Sequence, residues 1–161
     1  MGKKTPLTVG PGKVVQTFTP EQAHALGRQW LDAFPADRSD IHVDAFMWHV
    51  FSAERYASVS LDAAVAEYEK HPATEYLVLT NAQDEALVTD QRPTEVSADD
   101  YIVCPRNWAW TMAFTHEDGW LGPYFARHRK FETLQSANTK AVLAIVRKRE
   151  ETERAKQKGW A

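Results

Sequence analysis

Residues 107 to 125, N-W-A-W-T-M-A-F-T-H-E-D-G-W-L-G-P-Y-F, constrain the fold more than any other stretch of this chain. Large and small side chains alternate from residue 108 to residue 115, and successive side chains of an extended strand point to opposite faces. The large set is Trp108, Trp110, Met112 and Phe114. This stretch therefore predicts a β-strand with its large side chains in the core. Its small side chains would let a helix approach the other face closely.

The rest of the chain alternates between helical and extended patterns. Thr19, Pro20 and Gln22 match a helix start, because Thr can cap the first turn, Pro suits it and Gln completes a capping box. Helices are predicted over about 20–34 and 60–71, and a long C-terminal helix carries an apolar stripe of Leu134, Ala137, Ala141, Ala144 and Ile145. Strands are predicted over 46–51, 76–79, 86–88, 101–104 and 108–115, with 76–79 and 86–88 forming a hairpin.

Short turns between the later strands favour antiparallel pairing. The predicted fold class is therefore α+β, with a mainly antiparallel sheet of four to five strands packed with about three helices. The apolar run F-M-W-H-V-F at residues 46–51 is typical of a central strand buried on both faces, which could also pair in parallel. Residues 1–16 show no hydrophobic period and are predicted to be a flexible N-terminal arm. Residues 17–161 then form a single domain whose C-terminal helix ends in a polar segment.

The composition excludes several kinds of site. Cys104 is the one cysteine among 161 residues, so neither an intramolecular disulfide nor a cysteine-based zinc site can form. No apolar run reaches the roughly 18–20 residues that span a bilayer, and no apolar stretch follows the N-terminus as in a signal peptide. The glycines at positions 10 and 12 do not lie between a strand and a helix, so no phosphate loop is predicted. We expect a cytoplasmic protein without a cofactor, a metal or a membrane segment.

The T-H-E-D cluster at residues 115–118 carries an imidazole and two carboxylates, which general acid–base catalysis uses. His116 and Glu117 are the candidate catalytic residues, together with His49 from the apolar run. Consecutive strand residues diverge, so the cluster serves catalysis only if the following glycine redirects the chain. In the alternative interpretation, Thr115 or His116 hydrogen-bonds to the next turn and fixes it.

Charge is distributed unevenly along the chain. Ten acids and two bases lie between residues 60 and 100, whereas ten bases and four acids lie from residue 127 to the end. An acidic segment speeds encounter with a basic partner, so five carboxylates are candidate partner-binding residues: Asp84, Glu85, Glu95, Asp99 and Asp100. The bases of the C-terminal helix are interleaved with Glu150, Glu151 and Glu153. That mixture makes nucleic-acid binding unlikely to be its task.

Two fragments resemble a family of small uncharacterised bacterial proteins. The fragments are W-H-V-F-S at residues 48–52, and W-T-x-x-x-T-H-E at residues 110–117 followed by G-P-Y-F at residues 122–125. The resemblance covers about residues 46–125 and implies no activity, because none is established for that family. Small α+β proteins also include the immunity partners of bacterial toxins, and that comparison is an analogy of size and style.

These observations favour three functions in order. The first is a small protein-binding protein of the immunity or antitoxin type, whose acidic segment covers a basic surface of a toxin. The alternative is a small hydrolase-like enzyme that uses His116 and Glu117 with His49. The third is a nucleic-acid-associated regulator that uses the basic C-terminal helix.

Overall fold

Nine strands and four helices form the part of the chain that the computed structural model describes, which is residues 6–36 and 46–159. In chain order they are β1 (Val9–Gly10), β2 (Val14–Thr17), α1 (Pro20–Ala33), α2 (His49–Ser52), β3 (Val59–Ser60), α3 (Leu61–Lys70), β4 (Tyr76–Thr80), β5 (Ala86–Thr89), β6 (Glu95–Val96), β7 (Tyr101–Pro105), β8 (Trp110–Phe114), β9 (Tyr124–Arg127) and α4 (Phe131–Gln157). The α+β class is confirmed. The predicted counts of four to five strands and about three helices are too low.

Seven strands form one antiparallel sheet in the order β2-β5-β4-β7-β8-β9-β3, and β1 pairs with β6 in a separate two-stranded sheet. The predicted hairpin is confirmed as β4 and β5, in which Leu77 lies opposite Val88. Strands β4, β7, β8 and β9 follow one another as antiparallel neighbours. The short connections predicted antiparallel pairing of β4 with β5 and of β7 with β8, because a short turn can join two strands only when they run in opposite directions. The pairing of β4 with β7 and the strand β9 were not predicted.

Helices cover both faces of the large sheet. Helix α1 and the segment around α2 pack on one face, through side chains that include Trp30, Phe34 and Phe51. Helix α3 and the first turns of α4 pack on the other face, through Tyr68 and Phe131 among others. All five residues of β4 are therefore buried. A strand covered on both faces does not need polar residues at alternate positions.

Strand β8 shows the predicted division between large and small side chains. Trp110 and Met112 pack on the α3 face, and Thr111 on the opposite face accepts a hydrogen bond from the indole N–H of Trp30 in α1. The prediction that a helix approaches the small face is confirmed. Trp108 does not follow the alternation, because it precedes the strand with a φ of 62° and packs against the α1 face.

Residues 46–51 are not a central strand, so that prediction is wrong. Met47 and Val50 are buried three residues apart, as are Trp48 and Phe51, and α2 begins within this segment. The backbone N–H groups of Phe51 and Ser52 both donate to the carbonyl of Trp48. Periodicity alone cannot distinguish a short apolar run in a strand from one in a buried helical turn.

The N-terminal segment that was predicted to be a flexible arm contributes strands. Val9 pairs with Val96, and Val14 pairs with Thr89 at the edge of the large sheet. Lys13 adds a hydrogen bond from its backbone N–H to the carboxylate of Asp90. As far as the structure describes residues 1–16, this segment is paired with the rest of the domain. Residues 1–5 lie outside the described part.

Helix α4 continues through the polar C-terminal segment, as predicted, but its apolar stripe is not a core face. Phe131 and Gln135 are buried and Leu134 is half-buried, whereas the rest of the predicted stripe is exposed. Only the first turns of this 27-residue helix therefore pack on the sheet. Among the described residues, no helix has both the length and the apolar character that crossing a membrane requires.

Candidate functional site

Three loops meet at one end of the large sheet. They are residues 81–85 between β4 and β5, residues 97–100 before β7, and residues 115–123 between β8 and β9. Strand pairing brings them together, because Thr80 lies opposite Tyr101 and Tyr101 lies opposite Phe114. The sequence of these loops holds six acids and neither lysine nor arginine. We call this end of the sheet, defined by the three loops, the acidic end.

Two of these loops form a groove lined by four carboxylates. Asp84 and Glu85 come from the β4–β5 turn, Asp99 and Asp100 come from the loop before β7, and all four line one cavity of about 390 Å³. We call this cavity the acidic groove. Thr80 supports its wall, because its hydroxyl donates to the carboxylate of Asp84 at 3.0 Å. Four of the five acids predicted to bind a partner are thus neighbours in space.

Glu95, the fifth predicted acid, does not line the acidic groove. It lies in β6, opposite Gly10 of β1. A prediction from charge along the sequence cannot separate it from the others, because pairing with the N-terminal strand is a tertiary feature.

Asp100 connects the acidic groove to the T-H-E-D cluster. Its carboxylate accepts hydrogen bonds from Trp48 Nε1 at 3.0 Å and from the backbone N–H of His116 at 3.1 Å. His116 Nδ1 lies 2.9 Å from one carboxylate oxygen of Asp100 and 3.0 Å from the other. An ionised carboxylate can only accept, so Nδ1 carries the hydrogen and Nε2 is the ring atom left for exchange with solvent or a ligand.

The surroundings of His116 favour its charged form. The hydrogen bond to Asp100 raises the pKa of His116; burial opposes this, and the negative charges of Asp100, Glu117 and Asp99 raise the pKa further. Nε2 lies 3.9 Å from Glu117 Oε1, and the imidazole side chain is 41% exposed. His116 therefore holds a proton at a higher pH than an ordinary histidine does, in a position that solvent can reach.

Aromatic side chains bring His49 into the same neighbourhood. The ring of Phe46 lies 5.3 Å from the ring of His49 and 5.1 Å from that of His116, measured between centroids. Trp48 lies 4.6 Å from His49 and 6.2 Å from His116, and it stacks on Tyr124. His49, His116 and Glu117 therefore gather beside the acidic end, where the Phe46 and Trp48 rings contact both imidazoles.

Thr115 and Asp118 fix the turn that follows β8. The Thr115 hydroxyl donates to the carbonyl of Leu121 at 2.6 Å, and it accepts from the backbone N–H of Glu117 at 2.9 Å. The backbone N–H of Thr115 donates to the Asp118 carboxylate at 2.9 Å. The alternative in which Thr115 fixes the turn is confirmed. The alternative in which His116 does so is wrong, because His116 hydrogen-bonds across to Asp100.

Trp120, at the tip of the same turn, is 77% exposed. Its backbone N–H donates to the carbonyl of Glu117 at 3.0 Å, so the turn holds it in place while the indole faces solvent. The sequence analysis placed Trp108 and Trp110 in the core and did not single out Trp120. The available signal was its position between Gly119 and Gly122 in a turn, where a large apolar side chain has no strand face to occupy.

Within residues 6–36 and 46–159, no group of three or more His, Cys, Asp or Glu side chains has an arrangement that could hold a metal ion. Cys104 is fully buried and donates to the hydroxyl of Thr111, and burial raises the pKa of its thiol to about 12. It is therefore a core side chain, without thiolate character.

One protein family matches the chain. The family model described as Domain of unknown function (DUF4275) matches residues 24–125, which include the three loops of the acidic end and the segment around α2. No curated protein and no solved structure matches the chain significantly. The match confirms the resemblance to an uncharacterised family.

Proposed function

Since the chain belongs to the DUF4275 family, whose function is unknown, we propose from its own structure that it is a protein-binding protein of the immunity or antitoxin type. The proposed binding surface is the acidic end, and the proposed ligand is a basic surface of a partner protein such as a toxin.

The observation that carries this proposal is the acidic groove. Asp84, Glu85, Asp99 and Asp100 reach one cavity from two loops, and the three loops of the acidic end contribute six acids without lysine or arginine. Carboxylates gathered in this way produce a local negative field, which speeds encounter with a positively charged surface. They also repel one another, and a basic partner would relieve that repulsion.

Trp120 provides a second, independent feature of a binding surface. Exposed tryptophan is unusual on a protein surface, and tryptophan is among the residues that contribute most to binding energy in protein interfaces. Its turn is held by the buried hydroxyl of Thr115. A turn fixed in this way would lose little backbone freedom on binding. Carboxylates and an exposed aromatic side chain on neighbouring loops fit a partner that combines basic residues with an apolar pocket.

The test compares two charge reversals of equal size. In the first variant Glu85 and Asp99, which line the acidic groove, are both changed to lysine. In the control Glu150 and Glu151, exposed acids of α4, are both changed to lysine. Each variant alters the net charge by the same amount, so only the position of the change differs. Asp84 is left unchanged because Thr80 donates to it within the hairpin turn.

Immobilised parent and variants are exposed to an extract of the host cell at low and at moderate salt. The proposal expects a basic protein that the parent and the α4 control retain and the groove variant loses. Association of the purified partner with the groove variant should be about tenfold slower, and the difference should shrink as salt rises. Thermal unfolding checks that both variants fold. Equal association of all three proteins, or a captured partner that is not basic, would refute the proposed surface.

A second candidate function, a small hydrolase-like enzyme, is supported by the Asp100–His116 pair. A carboxylate that hydrogen-bonds to Nδ1 fixes the tautomer and orientation of an imidazole, which leaves Nε2 to accept or donate a proton. The raised pKa of His116 and the nearness of Glu117 favour an imidazolium that could act as a general acid. Protein binding takes precedence because the groove beside His116 is lined by carboxylates.

Hydrolysis of p-nitrophenyl acetate and of bis(p-nitrophenyl) phosphate tests the enzyme candidate. A general acid–base role for His116 predicts turnover by the parent that falls by about 100-fold or more in His116→Gln. His128→Gln is the control, since His128 follows β9 near the start of α4. Absence of turnover by the parent, or equal turnover by both variants, would remove the enzyme from consideration for these bond types.

A further inference from the structure

A second cavity, of about 420 Å³, lies beside the edge strand β3 and shares no residue with the acidic groove. Tyr56 lines it from the segment that leads into β3, Val59 from β3 itself, and Phe125 and Ala126 from β9. Glu67 of α3 and Arg127 at the end of β9 complete the wall. The volume falls within the range of about 300–1,000 Å³ that is typical of small-molecule sites.

The floor of this cavity is apolar. Val59 lies opposite Phe125 in the pairing of β3 with β9, so their side chains share one face of the sheet; Phe125 is 2% exposed and Val59 at the rim is 42% exposed. The Tyr56 hydroxyl does not interrupt this surface, because it donates to the carbonyl of Arg127 at 2.6 Å. A ligand that fills the cavity therefore gains by burying an apolar chain or ring against these side chains.

Arg127 places positive charge at the rim. Its Nη2 donates to Glu67 Oε2 at 2.9 Å, its guanidinium carbon lies 4.3 Å from the centre of the Phe131 ring, and its side chain is 46% exposed. A guanidinium has five N–H donors, so one bond to Glu67 leaves donors for a ligand. Arginine pairs with carboxylates through two parallel hydrogen bonds, which makes a carboxylate the matching group.

Glu67 lies in the same wall, but its charge is already compensated. Glu67 Oε2 also lies 2.7 Å from His71 Nε2. Burial acts to raise the pKa of Glu67, yet the hydrogen bonds from Arg127 and His71 together outweigh it and lower the pKa. Arg129 adds positive charge near Tyr56, whose pKa it lowers against the larger raising effect of burial. Arg127 and Arg129 against Glu67 leave one net positive charge near the cavity, which favours an anion over a cation.

We propose that this cavity binds a small organic carboxylate with an apolar chain or ring. The apolar part lies on Phe125 and Val59, and the carboxylate pairs with the guanidinium of Arg127. The inference does not depend on the proposed function of the acidic end, because the two sites share no lining residue.

Sodium octanoate is the probe. Octylamine, with a positive head group, and octanol, with a neutral one, are the controls for the charge of the ligand. Each is titrated into the ¹⁵N-labelled full-length protein, and amide shifts are followed. Octanoate should shift residues 56–59 and 124–127 and bind about tenfold more tightly than octanol, as expected for a charge-assisted hydrogen-bonded pair. No shift with octanoate at millimolar concentration, shifts elsewhere, or equal binding of either control would overturn the proposal.

Variants separate the guanidinium from the cavity itself. Arg127→Gln should weaken octanoate binding by about tenfold, and Arg127→Lys should retain part of it because the charge remains. Arg147→Gln is the matched control, because Arg147 is an exposed arginine of α4 that does not line the cavity, and it should bind nearly as the parent does. Ala57 is exposed and lines the cavity, so the larger side chain in Ala57→Trp should fill the mouth of the cavity and abolish binding. Undiminished binding by Arg127→Gln, or by Ala57→Trp, would assign the octanoate to another site.

Discussion

Thr111 joins helix α1 to the centre of the sheet, and its replacement by valine tests that connection. The Thr111 hydroxyl oxygen accepts from Trp30 Nε1 at 2.8 Å and from Cys104 Sγ at 3.3 Å. All three side chains are fully buried. Valine has nearly the shape of threonine but no acceptor, so Thr111→Val leaves the indole N–H of Trp30 buried without this partner.

The expected loss of stability comes from the indole N–H of Trp30, which is left without this acceptor. A buried donor that loses its acceptor lowers the free energy of unfolding by about 1–3 kcal/mol. The Cys104 thiol adds little, because S–H is a weak donor. No cavity forms, since the side-chain volume hardly changes. We expect a loss of about 2 kcal/mol, a considerable part of the roughly 5–15 kcal/mol that stabilises an ordinary domain.

Urea denaturation followed by tryptophan fluorescence measures the effect in a double-mutant cycle. Phenylalanine at position 30 has no N–H to orphan, so Thr111→Val should cost less in a Trp30→Phe background by about 1–2 kcal/mol. Thr111→Ser is the control, because it keeps the acceptor and loses one methyl group, worth about 1 kcal/mol. If the valine substitution costs the same in both backgrounds, the hydrogen bond does not stabilise this contact and the reasoning is refuted.

Three further predictions concern stability. Trp110→Ala should cost about 3–5 kcal/mol because the side chain is fully buried, whereas Trp120→Ala should change stability by less than about 0.5 kcal/mol. Because the pKa of His116 is raised, its ion pair with Asp100 stabilises the fold below the ordinary histidine pKa, and this stabilisation is lost as the pH rises through the raised pKa. Urea midpoints should show that the parent's advantage over His116→Gln shrinks towards alkaline pH. A constant advantage would contradict this prediction. Gly122→Ala should lower the melting temperature more than Gly119→Ala. Both glycines have φ near +100°, but only at position 122 would the new Cβ meet a neighbouring atom, at 3.0 Å. Equal losses of melting temperature would show that the contact is harmless.

Features set by nearby residues could be predicted from the sequence. Thr19 and Gln22 form the predicted capping box, with each side chain accepting from the other residue's backbone N–H. Strands β4 and β5 form the predicted hairpin, because the polar turn between them allows only a local antiparallel pairing. In both cases the partners are a few residues apart, so the pattern contains all the information that the structure uses.

Short strands with distant partners could not be predicted in this way. Strands β1, β3 and β6 have two residues each, and two residues carry no period. Val9 pairs with Val96, which is far away in the sequence, and no local signal marks either partner. The prediction of a strand at residues 46–51 was wrong for a related reason. A central strand and a buried helical turn would bury the same apolar side chains, so the pattern does not distinguish them.

The candidate site was predicted in pieces rather than as a unit. Sequence reasoning assigned Asp100 to partner binding and His116 to catalysis, and it had no means of placing the two within hydrogen-bonding distance. Their contact depends on the pairing of β7 with β8, which brings the loop before one strand next to the turn after the other. Trp120 was missed because composition counts tryptophans without showing which of them lie outside strands.

The acidic end and the cavity beside β3 differ in the charge that each favours. Six acids in three loops repel one another, and the one basic side chain in those loops is His116, whose protonation Asp100 promotes. Relief of that repulsion adds to the affinity for a basic partner, most strongly at low salt, because exposed charges are screened over about 8–10 Å in physiological buffer. At the cavity the guanidinium of Arg127 reverses the preference.

The two sites are linked through β9, whose first residue Tyr124 stacks on Trp48 and whose last is Arg127. Since β9 is held between β8 and β3 in a sheet covered on both faces, we expect it to keep its position on binding. A basic protein and an organic carboxylate should therefore bind independently, because coupling between sites requires an element with two arrangements.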